Sequence, residues 1–247
     1  MEIQIHDTKK DTSEKAAQQA AKILKDAIGR KNKATFLAAT GLSQVDFLDF
    51  LSQDPDIDWS KTEMFHLDEY VGISETHPAS FRKYLKERFI DKVNPGTVHL
   101  INGSSENPEE EISRLNQLMS GKEIDIAFIG IGENGHIAFN DPPADFETED
   151  PYIIVNLDQA CKQQQVGEGW FKSLDEVPSQ AISISVSQIM KSNTIICTVP
   201  GERKAEAVKN CFEGGEVSPD YPASILINHE KAFVYLDKGS AQYLEKT

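Results

Sequence analysis

The chain has 247 residues, 39% of them hydrophobic and 26% charged, and carries a formal net charge of −15. That length suits one large domain or two small ones with a sizeable core. An acidic chain without a basic stripe argues against a nucleic-acid partner, so any anion it binds must be held by local structure.

Strand and helix patterns alternate from the start. Ile3 and Ile5 predict a short strand, and Ala17, Ala20, Ala21, Leu24 and Ile28 predict a helix over 14–28 stopped by Gly29. Apolar runs predict strands at 35–39, 64–67, 124–131 and 195–199, with a last strand at 232–236 before a short C-terminal helix. Helical spacing fits 80–90, 108–119 (ended by Gly121) and 202–212. Residues 142–178 are polar and weakly periodic, which suggests a mobile flap. Continuous apolar strands interleaved with helices mark a single α/β domain built on an open, mostly parallel sheet covered by helices on both faces (Rossmann-like). The first residues lack a signal-peptide layout, and no apolar run reaches the ~20 residues that span a bilayer. Three cysteines, Cys161, Cys197 and Cys211, without a Cys-x-x-Cys pair, fit a reducing compartment, and the cytoplasm is the expected location.

Four apolar runs end in polar or glycine-rich clusters, and ligands of open parallel sheets bind beyond the carboxyl ends of strands. Thr40-Gly41, Asp68-Glu69, residues 134–141 and residues 201–204 should therefore share one crevice. Thr40-Gly41-Leu42-Ser43 joins a strand to a helix, where free N–H groups and hydroxyls can hold an anion; the bland alternative makes Ser43 a helix cap. Lys204 could add a point charge to that anion or be a solvated surface lysine. Asp68 is placed as a proton-transfer base or, more plainly, as a turn residue. Gly130-Ile131-Gly132-Glu133-Asn134-Gly135 matches a dinucleotide fingerprint, but Pro142-Pro143 leaves little room for the helix it requires. The better reading is a glycine-rich turn that brings His136 and Asp141 into the crevice, a histidine with a nearby carboxylate as a proton shuttle. A metal centre from His66, Asp68 and His136 lacks ligand spacing, so no metal or other cofactor is expected.

Taken together, Thr40-Gly41-Leu42-Ser43, Leu67 to Gly72 with His77 to Phe81, Gly130 to Pro142 and Gly201 to Ala205 resemble the glucosamine-6-phosphate deaminase family. That family sits in a group that includes 6-phosphogluconolactonases, which resemble this chain only up to Gly135-His136. The resemblance implies a phosphate site from Thr40, Gly41, Leu42 and Ser43 with Lys204, lined also by Gly130 and Gly135. It implies that His136, assisted by Asp141, opens the sugar ring, with Asn134 beside them. It implies that Asp68 moves a proton between C2 and C1 of an amino sugar phosphate, giving ammonia and fructose 6-phosphate. The family commonly has aspartate at Asn134 and glutamate at Asp141, and residues 161–171 depart from its arginine-bearing segment, where Lys162 is the available substitute. A small-molecule partner is implied, no membrane is, and a homo-oligomer is left open. The rival readings are a galactosamine-6-phosphate deaminase, a lactonase, a dehydrogenase and a non-catalytic sugar-phosphate sensor.

Overall fold

The computed structural model describes residues 1–245. Among the described residues, ten strands form two sheets. Seven of them, β1 (Glu2–His6), β2 (Ala34–Ala38), β3 (Thr62–His66), β5 (Thr97–His99), β6 (Ile126–Ile129), β9 (Ile195–Val199) and β10 (Ala232–Asp237), lie in the order β1-β10-β9-β6-β2-β3-β5. Every pairing among them is parallel. The four central strands are buried at every position, as strands covered on both faces must be. Alternate residues feed opposite cores: Phe36 and Ala38 point to one, Leu37 to the other.

One face carries α1 (Lys9–Lys31), α2 (Val45–Ser52) and α3 (Phe81–Leu85), which passes through a π turn, Lys86–Ile90, into α4 (Asp91–Val93). The other carries α5 (Pro108–Met119), α7 (Val186–Met190) and α8 (Ala205–Phe212). On that same side sits a sheet the sequence did not announce: β4 (Asp68–Tyr70), β8 (Gln180–Ile184) and β7 (Tyr152–Asn156), antiparallel throughout. Tyr152, Ile182 and Ile184 share the apolar cluster of the large sheet, so the small sheet is an added layer of one domain.

Several expectations need correction. The first helix runs through Gly29 to Lys31, because Thr8 caps its start and Asn32 takes the left-handed conformation (φ 58°) that ends it. Asp68 and Glu69 belong to β4 and not to a turn, because the chain crosses at Leu67 from one sheet into the next. Part of the supposed flap is regular structure, β7 and helix α6 (Gln159–Gly167), whose half-polar surfaces hide the periodicity. After β10 the described residues form turns instead of a helix. Asp237 Oδ1 there accepts from the backbone N–H of Ser240 (2.8 Å) and of Gly201 (3.0 Å), so the segment braces the 201 loop.

The small sheet leaves no room behind β4. A β-carbon on Gly103 would stand 2.2 Å from the Tyr70 carbonyl oxygen and 2.7 Å from Glu69 Cγ. Gly103→Ala is therefore expected to destabilise the fold by about 1–3 kcal/mol, as overpacking does, read as a lowered denaturant midpoint.

Candidate active site

The order of the large sheet reverses between β6 and β2: the chain steps outward from β2 to β3 and β5, and from β6 to β9 and β10. A crevice forms where strand order reverses. The cavity there has a volume of about 310 Å³ and is lined by Thr40, Gly41, Leu42, Ser43, Asp68, Gly130, His136 and Lys204, which the sequence had marked. Asn134, Gly135 and Asp141, also marked, stand behind this wall and do not line it.

Two loops frame one end. β2 and β9 each leave the sheet through a glycine with positive φ, Gly41 (89°) and Gly201 (105°), then a 3₁₀ turn, then α2 or α8. A side chain at either glycine would be strained in that region of φ. Neither turn has a side-chain cap, so Ser43 is not a helix cap; it lines the cavity, and its hydroxyl accepts from Gln44 Nε2 (3.3 Å). Gln44 ties the loop to the sheet, donating from Nε2 to the Ile129 carbonyl (3.1 Å) and Thr198 Oγ1 (2.8 Å). Tyr84 Oη donates to the Gly41 carbonyl (3.0 Å). Gly130 serves this loop by being small, since a β-carbon would fall 2.6 Å from Ser43 Oγ. Lys204 reaches the cavity from the second loop; burial lowers its pKa, opposed by the charges of Glu168 and Glu133. Uncapped N–H groups, hydroxyls and an ammonium together make an anion cradle.

Asp68 closes the other end. The residue is 6% exposed, Oδ1 has no partner, and burial, with the neighbouring Glu69 charge, pushes its pKa up to about 8. Glu69 points the other way and is well satisfied. It accepts from the backbone N–H of Tyr70, Phe81 and Arg82 and from the Ser80 hydroxyl, so it fastens β4 to the start of α3. His66 is enclosed, with neither ring nitrogen paired; burial and the Arg82 charge push its pKa down to about 3. It lies outside the cavity lining, so the metal grouping with Asp68 and His136 does not form.

His136 sits in a turn that needs its odd sequence. Ala138 takes φ 51°, and Asn140 Nδ2 donates to the carbonyls of Ile137 (2.8 Å) and Ile184 (2.9 Å), stapling the turn to β8. No helix follows Gly130–Gly135, so the dinucleotide context is absent. The imidazole lies against Gly132, where a β-carbon would come within 2.3 Å of Cε1. Its Nδ1 is 3.0 Å from Asp141 Oδ1, off the in-plane line of the ring nitrogen. Burial raises the Asp141 pKa, but His136, the Asn134 amide and the Asp158 N–H outweigh it and leave it below the usual carboxylate value. Asn134 links His136, Asp141 and Asp158. Its amide donates to Asp141 Oδ1 (3.1 Å) and reaches Asp158 Oδ2 (3.5 Å), while its carbonyl accepts from His136 N–H (3.1 Å). An aspartate there would face two carboxylates.

Sequence reasoning missed Lys9 and Arg203 and the face of α6 that closes the cavity with Gln164 and Gln165. Lys9 follows β1, so the strand-end rule applied to that strand would have found it. Arg203 adjoins Lys204 and pairs with Glu133 (2.7 Å). It lines the cavity where Lys162, the expected substitute, does not. The α6 residues left no signal, because Tyr70 Oη donating to Gln165 Oε1 (2.6 Å) is a contact across 95 residues.

Residues 7–235 match the family described as glucosamine-6-phosphate isomerases/6-phosphogluconolactonase. A glucosamine-6-phosphate deaminase of Oenococcus oeni is 36% identical over 231 residues, which cover 94% of this chain and 95% of that protein. A solved structure of a monomeric glucosamine-6-phosphate deaminase superposes with TM-score 0.90 at 31% identity, over 98% of this chain and 99% of that one. A 6-phosphogluconolactonase of Shewanella baltica shares the fold alone, with TM-score 0.79 at 18% identity, over 96% of this chain and 97% of that one. The anion cradle, the buried carboxylate and the histidine turn thus stand on a shared framework: the chain belongs to the glucosamine-6-phosphate isomerase/6-phosphogluconolactonase family.

Proposed function

We propose that this chain converts glucosamine 6-phosphate and water into fructose 6-phosphate and ammonia. The observation that carries the deaminase over the lactonase reading is Asp68, a cavity carboxylate with a free oxygen and a pKa pushed up to about 8. A base of that strength suits removal of a carbon-bound proton, which isomerisation requires and lactone hydrolysis does not. Full-length identity to named deaminases at 36% supports the same choice.

In this reading Thr40, Gly41, Leu42 and Ser43, with Lys204, hold the phosphate, and Gly130 gives Ser43 its room. Lys9 and Arg203 add positive charge around the same end. His136, turned by Asp141 and Asn134, passes a proton to the ring oxygen as the sugar opens. Asp68 takes the C2 proton and returns it at C1, after which water displaces ammonia at C2. Gly135 acts through the backbone alone: its φ is 89° and its α-carbon packs towards Cys211. The three cysteines are free and buried, and no helix among the described residues is long and apolar enough to cross a membrane, which suits work in the cytoplasm.

The direct test follows ammonia and fructose 6-phosphate together from glucosamine 6-phosphate, with galactosamine 6-phosphate beside it. Equal release of both products from the gluco sugar is expected, and Asp68→Asn should slow it about 10²- to 10⁴-fold, the usual worth of a positioned base. Turnover of neither sugar by folded protein would refute the reading.

Asp68 works only once deprotonated, so kcat/KM should climb as pH rises towards about 8. Glu69→Gln removes a like charge and should shift that limb to lower pH; an unmoved limb would free Asp68 from Glu69's influence. A methyl at Gly132 would collide with the imidazole. Gly132→Ala should therefore lower kcat with little change in melting temperature, and wild-type kcat would show that the ring needs no such wall.

A further inference from the structure

Among the described residues, one group of three metal-ligating side chains comes together: His136, Asp141 and Cys161, whose ligand atoms all lie within 4.8 Å of one another. Tetrahedral zinc holds such atoms roughly 3.3–3.8 Å apart, given bonds of about 2.0–2.3 Å. A contraction of about 1 Å or less would therefore complete a three-ligand site with a fourth position left for water.

The surroundings already hold each donor in place. Gly132 fixes the imidazole so that Nδ1 faces Asp141, and that nitrogen is buried without an in-line hydrogen bond. The Asn134 amide and the Asp158 backbone N–H orient the Asp141 carboxylate, as outer partners orient metal ligands elsewhere. Cys161 is 1% exposed, and its backbone N–H is anchored on Asp158 Oδ1 (2.5 Å). Imidazole, carboxylate and thiolate together favour zinc or cobalt over magnesium or calcium. His136 also lines the cavity, so an ion on the cavity floor is one side chain away from the other two donors.

We propose that His136, Asp141 and Cys161 form a binding site for a thiophilic divalent cation, Zn²⁺ or Co²⁺, whose occupancy shuts off turnover. On binding, the Cys161 thiol releases its proton to solvent and the thiolate, imidazole nitrogen and carboxylate donate to the ion. A metal on Nδ1 ties up both halves of the proton shuttle, so the ring can no longer serve the sugar. Binding stands on the geometry alone; inhibition rests on the deaminase reading.

The test titrates Co²⁺ into metal-stripped, full-length protein, following thiolate-to-cobalt charge-transfer absorption and, separately, ammonia release. One equivalent should raise the band, Zn²⁺ should bleach it, and turnover should fall and recover with chelator. Cys161→Ser should keep basal turnover, lose the band, and require about 10- to 100-fold more Zn²⁺ for inhibition. Cys211→Ser should behave as wild type. No band, a band that survives Cys161→Ser, or equal inhibition of that variant would overturn the proposal. A Cys161-dependent band in a protein that turns over neither sugar would uphold the site and refute the deaminase reading.

Discussion

An ionised carboxylate taken from water into a protein interior loses several kcal/mol of hydration unless charges or donors replace it. Asp68 is in that position with one oxygen unpaired, and the neighbouring Glu69 adds to the penalty. The group answers by keeping its proton. The folded chain holds that proton up to about pH 8, whereas an unfolded chain gives it up near pH 4. Its stabilising contribution is therefore complete below about pH 4 and is lost as pH rises through about 8. A fold that carries such a group gives up stability at neutral pH in exchange for a strong base at the cavity wall.

The rest of the structure makes that placement rigid. β4 is only three residues long, and it is held on one edge by β8 and behind by Gly103, with Glu69 bonded to the start of α3. Tyr70 of β4 packs at a tilt against Phe81 and Phe139, which stack on each other, with ring centroids 5.0–5.8 Å apart. Phe139 belongs to the same turn as His136, so the packing that seats the base also seats the histidine. The other end of the cavity is built separately, from two loops that leave β2 and β9 by the same glycine-then-3₁₀ geometry. The Asp68 end of the cavity therefore depends on a small antiparallel sheet and the two-loop end on the large parallel one.

What could be read in the sequence follows the range of the forces involved. β9 and α5 appear at the boundaries their periodicity gave, because an unbroken apolar run and a capped amphipathic segment are local signals. The cradle residues Thr40 to Ser43 and Lys204 were legible because strand ends in a parallel sheet converge by topology. The small sheet was not legible. β4 is three residues of charge and aromatic, and it becomes a strand only because Asp68 pairs with Ser183, more than a hundred residues away. Lys162 looked like the natural cation of the 161–171 segment, but the cavity takes Arg203 instead, since α6 turns its glutamines inward. Asn134 looked like a lost acid and is an amide wedged between two carboxylates, a relation no single position can announce.

Carbon-detected NMR of aspartate carboxyls reads the protonation of Asp68. Spectra of the wild type and of Asp68→Asn across the pH range identify the resonance that the substitution removes. A carboxyl that titrates near pH 8 and vanishes in the variant is expected. A missing resonance that titrates near pH 4, as a solvated aspartate does, would contradict it.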